Sequence, residues 1–279
     1  MSDGVDRKKQ EIKAFFGKLG APGFGLDDAF FRAIGVRLAK FANIPLQGQV
    51  LDIAAGRGAN LYPAAEDVGE SGRVIGIDLA ESMVELTTAE IVSRRLDNAE
   101  MRLMDADNLD FPDACFDRVL CGFAMFFFPQ LDRTLVEVSR VLKPGGVFAA
   151  STFAEQGYPW SWYENLLKIY ELSSRVDRLV GLATEALATP KEIQEVLRRA
   201  GFDHIHIEAQ EYDDISQNER EWWYGLWSSA DRDLLSKLDP DTLRRFKKDA
   251  FEKLQLLRDR EGIRGRYKLL LSSGVKSSA

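Results

Sequence analysis

Two cysteines and two histidines are scant reactive provision for a chain of 279 residues. Cys115 and Cys121 cannot build a disulfide framework, and a reducing compartment suits them. His204 and His206 alternate with Ile205 and Ile207 on a strand-like run, so both are expected on one face. Nothing beside them has the spacing of a metal centre, and no metal is expected. No Ser/His/Asp set for nucleophilic catalysis stands out either. The opening MSDGVDRKKQEIKAFF has no signal-peptide core, and no apolar run approaches the ~20 residues that span a bilayer. A cytoplasmic protein without a membrane span is expected. Basic excess is missing as well: 37 Lys and Arg face 44 Asp and Glu, a net charge of −7, which argues against nucleic acid as a partner. Arg244-Arg245 and Lys247-Lys248 are interleaved with acids and read as a solvated helix face.

What remains is an ordinary globular composition, 45% hydrophobic and 29% charged. The length exceeds a minimal doubly wound domain, so one domain with insertions is expected. Its most informative stretch is Val50–Gly58, VLDIAAGRG. A buried strand stops at Ala54-Ala55-Gly56-Arg57-Gly58, and a helical pattern begins at Ala59. Small residues at such a turn let a ligand approach the backbone, and the N–H groups opening the helix add a polar floor. A second strand, Arg73–Asp78, ends in a carboxylate twenty residues past Gly58. A carboxylate there can accept both hydroxyls of a ribose, as in sites for dinucleotides and for S-adenosylmethionine (SAM). The dinucleotide fingerprint wants a third glycine where Leu61 stands, so a nucleoside without phosphates fits better and an NAD-binding oxidoreductase is disfavoured.

Strands are predicted over Gln49–Ile53, Arg73–Asp78, Glu100–Met104, Phe116–Cys121 and Gly146–Ser151. Helices are predicted over Lys9–Leu19, Asp28–Ala42, Ala59–Asp67, Ser82–Arg94, Asp132–Leu142 and Pro190–Ala200. The last starts with Thr189 as N-cap, Pro190 and Glu192. Residues 1–8 are expected to fray. Alternation of this kind gives a mostly parallel α/β sheet with helices on both faces. Asp203–Tyr212 and Arg266–Lys276 supply strands six and seven, with helices at Asp231–Lys237 and Pro240–Glu261 between them. All five tryptophans fall in two insertions, 154–188 and 213–262. They either cap the ligand side with aromatic surface or form a satellite core.

Four pieces stand in order over about 100 residues: VLDIAAGRG (50–58), VIGIDLAESMV (74–84), MDADNLDFPDACFDRVLCGFAMFF (104–127) and VLKPGGVFAAST (141–152). In these the chain resembles the class I SAM-dependent methyltransferases of the UbiE-like (ubiquinone/menaquinone biosynthesis) type. Ala54 replaces the first glycine of that family's G-x-G-x-G. The resemblance implies a Rossmann-like seven-stranded sheet whose last strand runs antiparallel between the fifth and sixth, with an N-terminal helical lid and an inserted helical cap. The divisions that follow are a lid over 1–48, a SAM-binding core over 49–153, 189–212 and 263–279, and cap insertions over 154–188 and 213–262. The family often carries a Tyr-Asp pair in the lid; Phe24 and Gly25 stand there here, so a tyrosine-based role is in doubt, though Phe24 can still wall off solvent.

The resemblance implies SAM as methyl donor, with S-adenosylhomocysteine (SAH) as product. Asp52, Ala54, Gly56 and Gly58 would meet the methionyl part and the nucleoside, with Arg57 a further contact of its carboxylate. Asp78 would hold the ribose, Leu79 and Met83 would offer apolar faces to the adenine, and Asp105 would accept from its amino group beside the Ala106 N–H. Asp107 is the rival of Asp105 in register. Cys121 and Phe123 would lie beneath the methionyl part. For the acceptor, the apolar wall expected is Phe24, Met125, Phe126, Phe127, Trp160, Tyr163, Trp223 and Trp227, which suits a hydrophobic or aromatic small molecule. Glu155, Tyr158 and Tyr163 are the best-placed candidates for a general base, but none is assigned as catalytic. A SAM-dependent methyltransferase acting on oxygen or carbon of such a metabolite, plausibly a secondary one, is the expectation. Quinone-ring C-methylation is the alternative within the class, and a SAM-binding scaffold or cyclase the alternative outside it. A homo-oligomer is compatible with the sequence.

Overall fold

A computed structural model describes residues 2–19, 29–155, 161–172, 187–227 and 231–277. Two helices come first, α1 (Ser2–Leu19) and α2 (Ala29–Phe41). The alternating part follows as β1 (Gln49–Ile53), α3 (Leu61–Val68), β2 (Arg73–Asp78), α4 (Glu81–Arg94), β3 (Ala99–Leu103), β4 (Phe116–Gly122), α5 (Leu131–Val141) and β5 (Leu142–Phe153). Beyond it lie α6 (Ser161–Ile169), α7 (Pro190–Arg199), β6 (Phe202–Ser216), α8 (Glu219–Trp227), α9 (Arg232–Leu235), α10 (Pro240–Leu257) and β7 (Ile263–Lys276). The sheet order is β3-β2-β1-β4-β5-β7-β6. Strands β1 to β5 pair in parallel, and β7 runs antiparallel between β5 and β6. Two antiparallel steps make β6 parallel to β5, so the first six strands all end on one edge.

The central strands are apolar on both faces because helices cover both. On one face Leu51, Ile77, Val119 and Phe148 pack against Leu135 and Val138 of α5 and Ile193 and Leu197 of α7. On the other, Val50, Val74, Leu120 and Leu271 pack against α2 and α3 through Ile34, Leu38, Leu61 and Ala65. Helix α2 lies so close to the start of α3 that a Cβ on Gly35 would overlap the carbonyl oxygen of Ala59. The expected capping box forms at α7: the Glu192 N–H donates to Thr189 Oγ1 at 3.3 Å, and the Thr189 N–H donates to Glu192 Oε2 at 2.9 Å.

Several boundaries differ from the sequence reading. Residues 2–8 are helical rather than frayed, held in part by Arg7 and Lys8 flanking Glu11 at 3.9 and 3.7 Å. Strand β3 sits one residue earlier than predicted, and β5 starts at Leu142, its pairing with β4 broken by an irregularity after Phe116. Strands β6 and β7 extend as a ribbon to Ser216 and Ile263. There Asp213, placed in the cap insertion by the sequence reading, accepts from Arg266 Nε at 2.7 Å and from Arg264, and the ion pairs hold this charged end of the ribbon. The pairing of β6 shifts between Asp203 and His206, and His204 has φ 44°, so the two histidines do not share the regular alternation predicted for them. They lie near the start of β6, at the edge opposite the ends of β1 and β2, with His206 stacked on Phe41 at 5.4 Å.

The inserted helices build a separate apolar cluster. Tyr163 and Leu167 of α6, Trp222 and Leu226 of α8, Leu235 of α9, and Phe246 and Leu254 of α10 pack together, with Ile263 at the start of β7 beneath them. Among the described residues no helix is long and apolar enough to cross a membrane.

Candidate functional site

The loop after β1 carries three left-handed residues: Ala54 (φ 52°), Gly56 (φ 52°) and Gly58 (φ 78°). The glycines are needed for different reasons. A Cβ on Gly58 would lie 2.8 Å from the Tyr62 ring, whereas one on Gly56 would meet nothing within 4 Å, so the loop is open on that side. Ala54 is the strained member, since a left-handed L-residue costs roughly 1–2 kcal/mol that glycine avoids, against glycine's greater entropy loss. Ala54→Gly is therefore expected to stabilise the protein by about 0.5–1 kcal/mol, read as a higher urea midpoint at unchanged slope.

Asp78 closes the loop from the end of β2. Its Oδ2 accepts from the Gly56 N–H and its Oδ1 from the Ala80 N–H, both at 2.9 Å. Each carboxylate oxygen keeps a further acceptor site, since an ionised carboxylate offers about four in all. Burial pushes the Asp78 carboxyl up from its ordinary value, and the Ala80 and Gly56 N–H groups oppose that shift. Beside it, Ala80 and Met83 form a small apolar platform on which Phe15 and Phe16 of α1 rest. Leu79, between Asp78 and Ala80 in the chain, is half-buried.

Asp52 is fully buried. Its Oδ1 accepts from Asn60 Nδ2 at 3.0 Å, which takes Asn60 away from capping α3. Its Oδ2 has no hydrogen-bond partner among the described residues. Burial pushes the Asp52 carboxyl up to about 7 from 3.8, against the Asn60 hydrogen bond that favours the charged form. The folded protein thus holds a proton that the unfolded chain has released, so wild-type stability falls as pH rises from about 4 to 7. Asp52→Asn removes that dependence, and its melting temperature relative to wild type should improve from pH 5 to pH 8. A constant difference across that range would contradict the burial-driven shift.

The end of β3 separates the two acidic rivals. Asp107 is 3% exposed, accepts from the Thr134 hydroxyl of α5, and is committed to the core. The Asp105 side chain is 37% exposed, and its Oδ1 accepts from the Asp107 N–H at 3.0 Å. Between these residues, Ala106 is buried. Lys9 of α1 reaches across to Asp105 Oδ2 and Asp107 Oδ2, each at 2.6 Å. Burial works to lower the Lys9 pKa, but the two carboxylates outweigh it and hold the ammonium above its ordinary value. Nothing in the sequence flagged Lys9 beyond its place on an amphipathic helix.

After β4 the chain divides its aromatics. The Cys121 side chain is in the core, its thiol pushed up by burial, so only its backbone can face a ligand. Met125 is likewise fully buried in the core, a correction to its place in the acceptor wall. Phe127 packs edge-on against Phe16 at 5.3 Å and against Phe126 at 4.5 Å. Phe123 (φ 51°) turns the other way, to Phe30 at 5.5 Å, Phe31 at 5.5 Å and Phe153 at 4.6 Å. Phe30 also meets Tyr212 and Tyr267 at 5.3 and 4.5 Å. Three rings absent from the sequence reading thus touch Phe123, and two tyrosines extend the group through Phe30. Tyr212 and Tyr267 are opposite one another in the β6–β7 register, inside the ribbon, whereas Phe153 is the last residue of β5, a position that a strand end alone could have flagged.

The remaining predicted residues lie elsewhere. Tyr163 is buried against Trp222 and Phe246, and Trp223 and Trp227 pack on that same satellite cluster. Their own helices bury one another's apolar faces, so these three leave the acceptor wall. Arg57 pairs with Glu90 of α4 at 3.3 Å. Glu155 is exposed. Phe24, Gly25, Tyr158 and Trp160 lie outside the described residues.

Sheet order, with β7 antiparallel between β5 and β6, defines a Rossmann-like fold. YcgJ of Bacillus subtilis has a similar fold, with a TM-score of 0.56 and 21% identity over 88% of this chain and 100% of that one. A family profile described as "Methyltransferase domain" matches residues 47–217, and the chain belongs to that family. Nocamycin O-methyltransferase of Saccharothrix syringae is 40% identical over 117 residues, 42% of this chain and 42% of that protein. Aklanonic acid methyltransferase DauC of Streptomyces sp. (strain C5) is 40% identical over 132 residues, 44% and 60% of the two chains. The chain therefore spans less than two thirds of either relative. Demethylmenaquinone methyltransferase of Symbiobacterium thermophilum is 31% identical over 169 residues, 55% of this chain and 67% of that protein.

Proposed function

We propose that this chain is a SAM-dependent methyltransferase that moves a methyl group to oxygen or carbon of a hydrophobic or aromatic small molecule, in secondary metabolism. The observation that carries the reading is the Asp78 carboxylate, oriented by two backbone N–H groups beside a loop that is open at Gly56. Leu61, where a dinucleotide site wants glycine, is fully buried between α3 and the sheet, which leaves no close helix approach for a pyrophosphate. The two relatives at 40% identity, one an O-methyltransferase by name, support small-molecule transfer.

Bound SAM supplies a methyl group already activated on a sulfonium. What the chain must add is alignment and the exclusion of water. Asp78 accepts the ribose hydroxyls. Asp105 accepts from the adenine amino group through the acceptor capacity that Lys9 and the Asp107 N–H leave, with the Ala106 N–H facing the ring and Leu79 and Met83 flanking it. Gly56 and Gly58 let the backbone approach the nucleoside and methionyl part, and the unpartnered Asp52 Oδ2 suits the cofactor's ammonium. Phe123, Phe126 and Phe127 wall the acceptor side, and α1 and α2 act as a lid that keeps water out. A protein of this kind works without a dedicated base when the acceptor is an acidic phenol or an electron-rich carbon.

Quinone-ring C-methylation is the second reading, favoured by the demethylmenaquinone methyltransferase relative. Incubation with methyl-labelled SAM and a panel of hydrophobic phenols, indoles and quinols tests both. Label retained in product supports transfer, and carbon-13 shifts of the new methyl separate oxygen from ring carbon. Tight SAM binding with no label in any product would favour a scaffold or cyclase.

A further inference from the structure

Thr87 is fully buried in α4, one helical turn beyond Met83. Its hydroxyl donates to the Gly56 carbonyl at 2.8 Å. The Gly56 N–H donates in turn to Asp78 Oδ2 at 2.9 Å. One peptide unit on each side of Gly56 is thus fixed, the first by Asp78 and the second by Thr87. Gly56 itself has no side chain, a left-handed φ and open space around it, so little else restrains its torsions. The Thr87 methyl lies on the same side, 3.2 Å from where a Cβ on Gly58 would stand.

We infer that Thr87 is a positioning residue for the donor site: its hydroxyl holds the Gly56–Arg57 peptide, which limits the torsions at Gly56, and through them sets the preceding peptide, whose N–H fixes the direction in which Asp78 presents its free acceptor sites. The inference rests on the proposed reading of Asp78 as the ribose ligand, although Thr87 touches no ligand itself. This hydrogen bond is part-buried, so a carbonyl deprived of its donor can turn toward water, which draws the chain toward another conformation. A loop with three left-handed residues has such alternatives close at hand.

The test compares Thr87→Val, which keeps the shape and removes the donor, with Thr87→Ser, which keeps the donor. Val138→Ala, in α5 on the other face of the sheet, serves as a control for lost stability. In the ligand-free protein the Gly56 amide should exchange with solvent at least about tenfold faster in Thr87→Val and near the wild-type rate in Thr87→Ser. Calorimetry should then give SAM and SAH affinities lowered about tenfold together in Thr87→Val, restored in Thr87→Ser and unchanged in Val138→Ala. In turnover the KM for donor should rise while kcat at saturating donor holds. Unchanged Gly56 exchange, or unchanged affinity in a Thr87→Val protein whose melting temperature has dropped, overturns the inference. Failure of wild type to bind SAM or SAH overturns the donor-site reading instead, and the exchange rates still decide whether Thr87 orders the loop.

Discussion

Asp78→Ala is expected to weaken SAM and SAH binding at least about a hundredfold while the protein still folds. On the proposed donor-site reading two charge-assisted hydrogen bonds to ribose hydroxyls are lost, each worth roughly 1.5–3 kcal/mol before any rearrangement. The same change frees the Gly56 and Ala80 N–H groups that the carboxylate now holds, so the loop loses its order as well. Some loss of stability is expected, because Asp78 is tied into the structure even without ligand. Asp78→Asn separates the effects: the amide oxygen still accepts from one of the two backbone N–H groups, so stability should recover further than affinity. Far-ultraviolet circular dichroism and calorimetry on the same samples check this. A protein that fails to fold as Asp78→Ala and binds normally as Asp78→Asn would mark the residue as structural.

Gly35→Val should produce the largest loss of stability, about 3 kcal/mol or more. The added Cβ would meet the Ala59 backbone carbonyl, and two backbones cannot part as a flexible side chain can. Helix α2 would have to lift from α3, exposing Ile34 and Leu38 and disturbing the Asn60–Asp52 contact two links away. Donor affinity should fall with stability, unlike the effect of a core change in the satellite cluster. Phe246 lies at the centre of that cluster, remote in the packing from the glycine loop. Chemical denaturation of Gly35→Val measures the first loss, and a midpoint within about 0.5 kcal/mol of wild type would contradict the close approach.

The donor side was legible because its elements carry local signatures. Strands β1 and β2 are nearly continuous apolar runs, the turn between β1 and α3 is built from small residues, and Asp78 ends its strand. Asp105 and Asp107 could be told apart only by burial, since the contact that commits Asp107 comes from Thr134, 27 positions away. The α1 helix looked ragged because its polar residues read as solvent-facing, yet Lys9 answers two carboxylates 96 and 98 positions on. On the expected acceptor side, aromatic content was legible and the placement of the rings was not. Aromatic abundance was plain, but the described tryptophans of the insertions pack in the satellite cluster, whereas the rings about Phe123 and Phe30 come from α2, β5, β6 and β7. Such convergence is a property of the sheet order, which sequence adjacency does not encode. The histidines illustrate the opposite case: strand alternation pointed to a shared face, and a pairing shift at 203–206 undid it.

One measurement bears most directly on the central claim: calorimetric titration of the purified protein with SAM, SAH and NAD. The account predicts one-to-one binding of SAM and SAH in the micromolar range and no heat with NAD. Binding of NAD with none of SAM or SAH would contradict it, and would return Asp78 to the ribose of a dinucleotide.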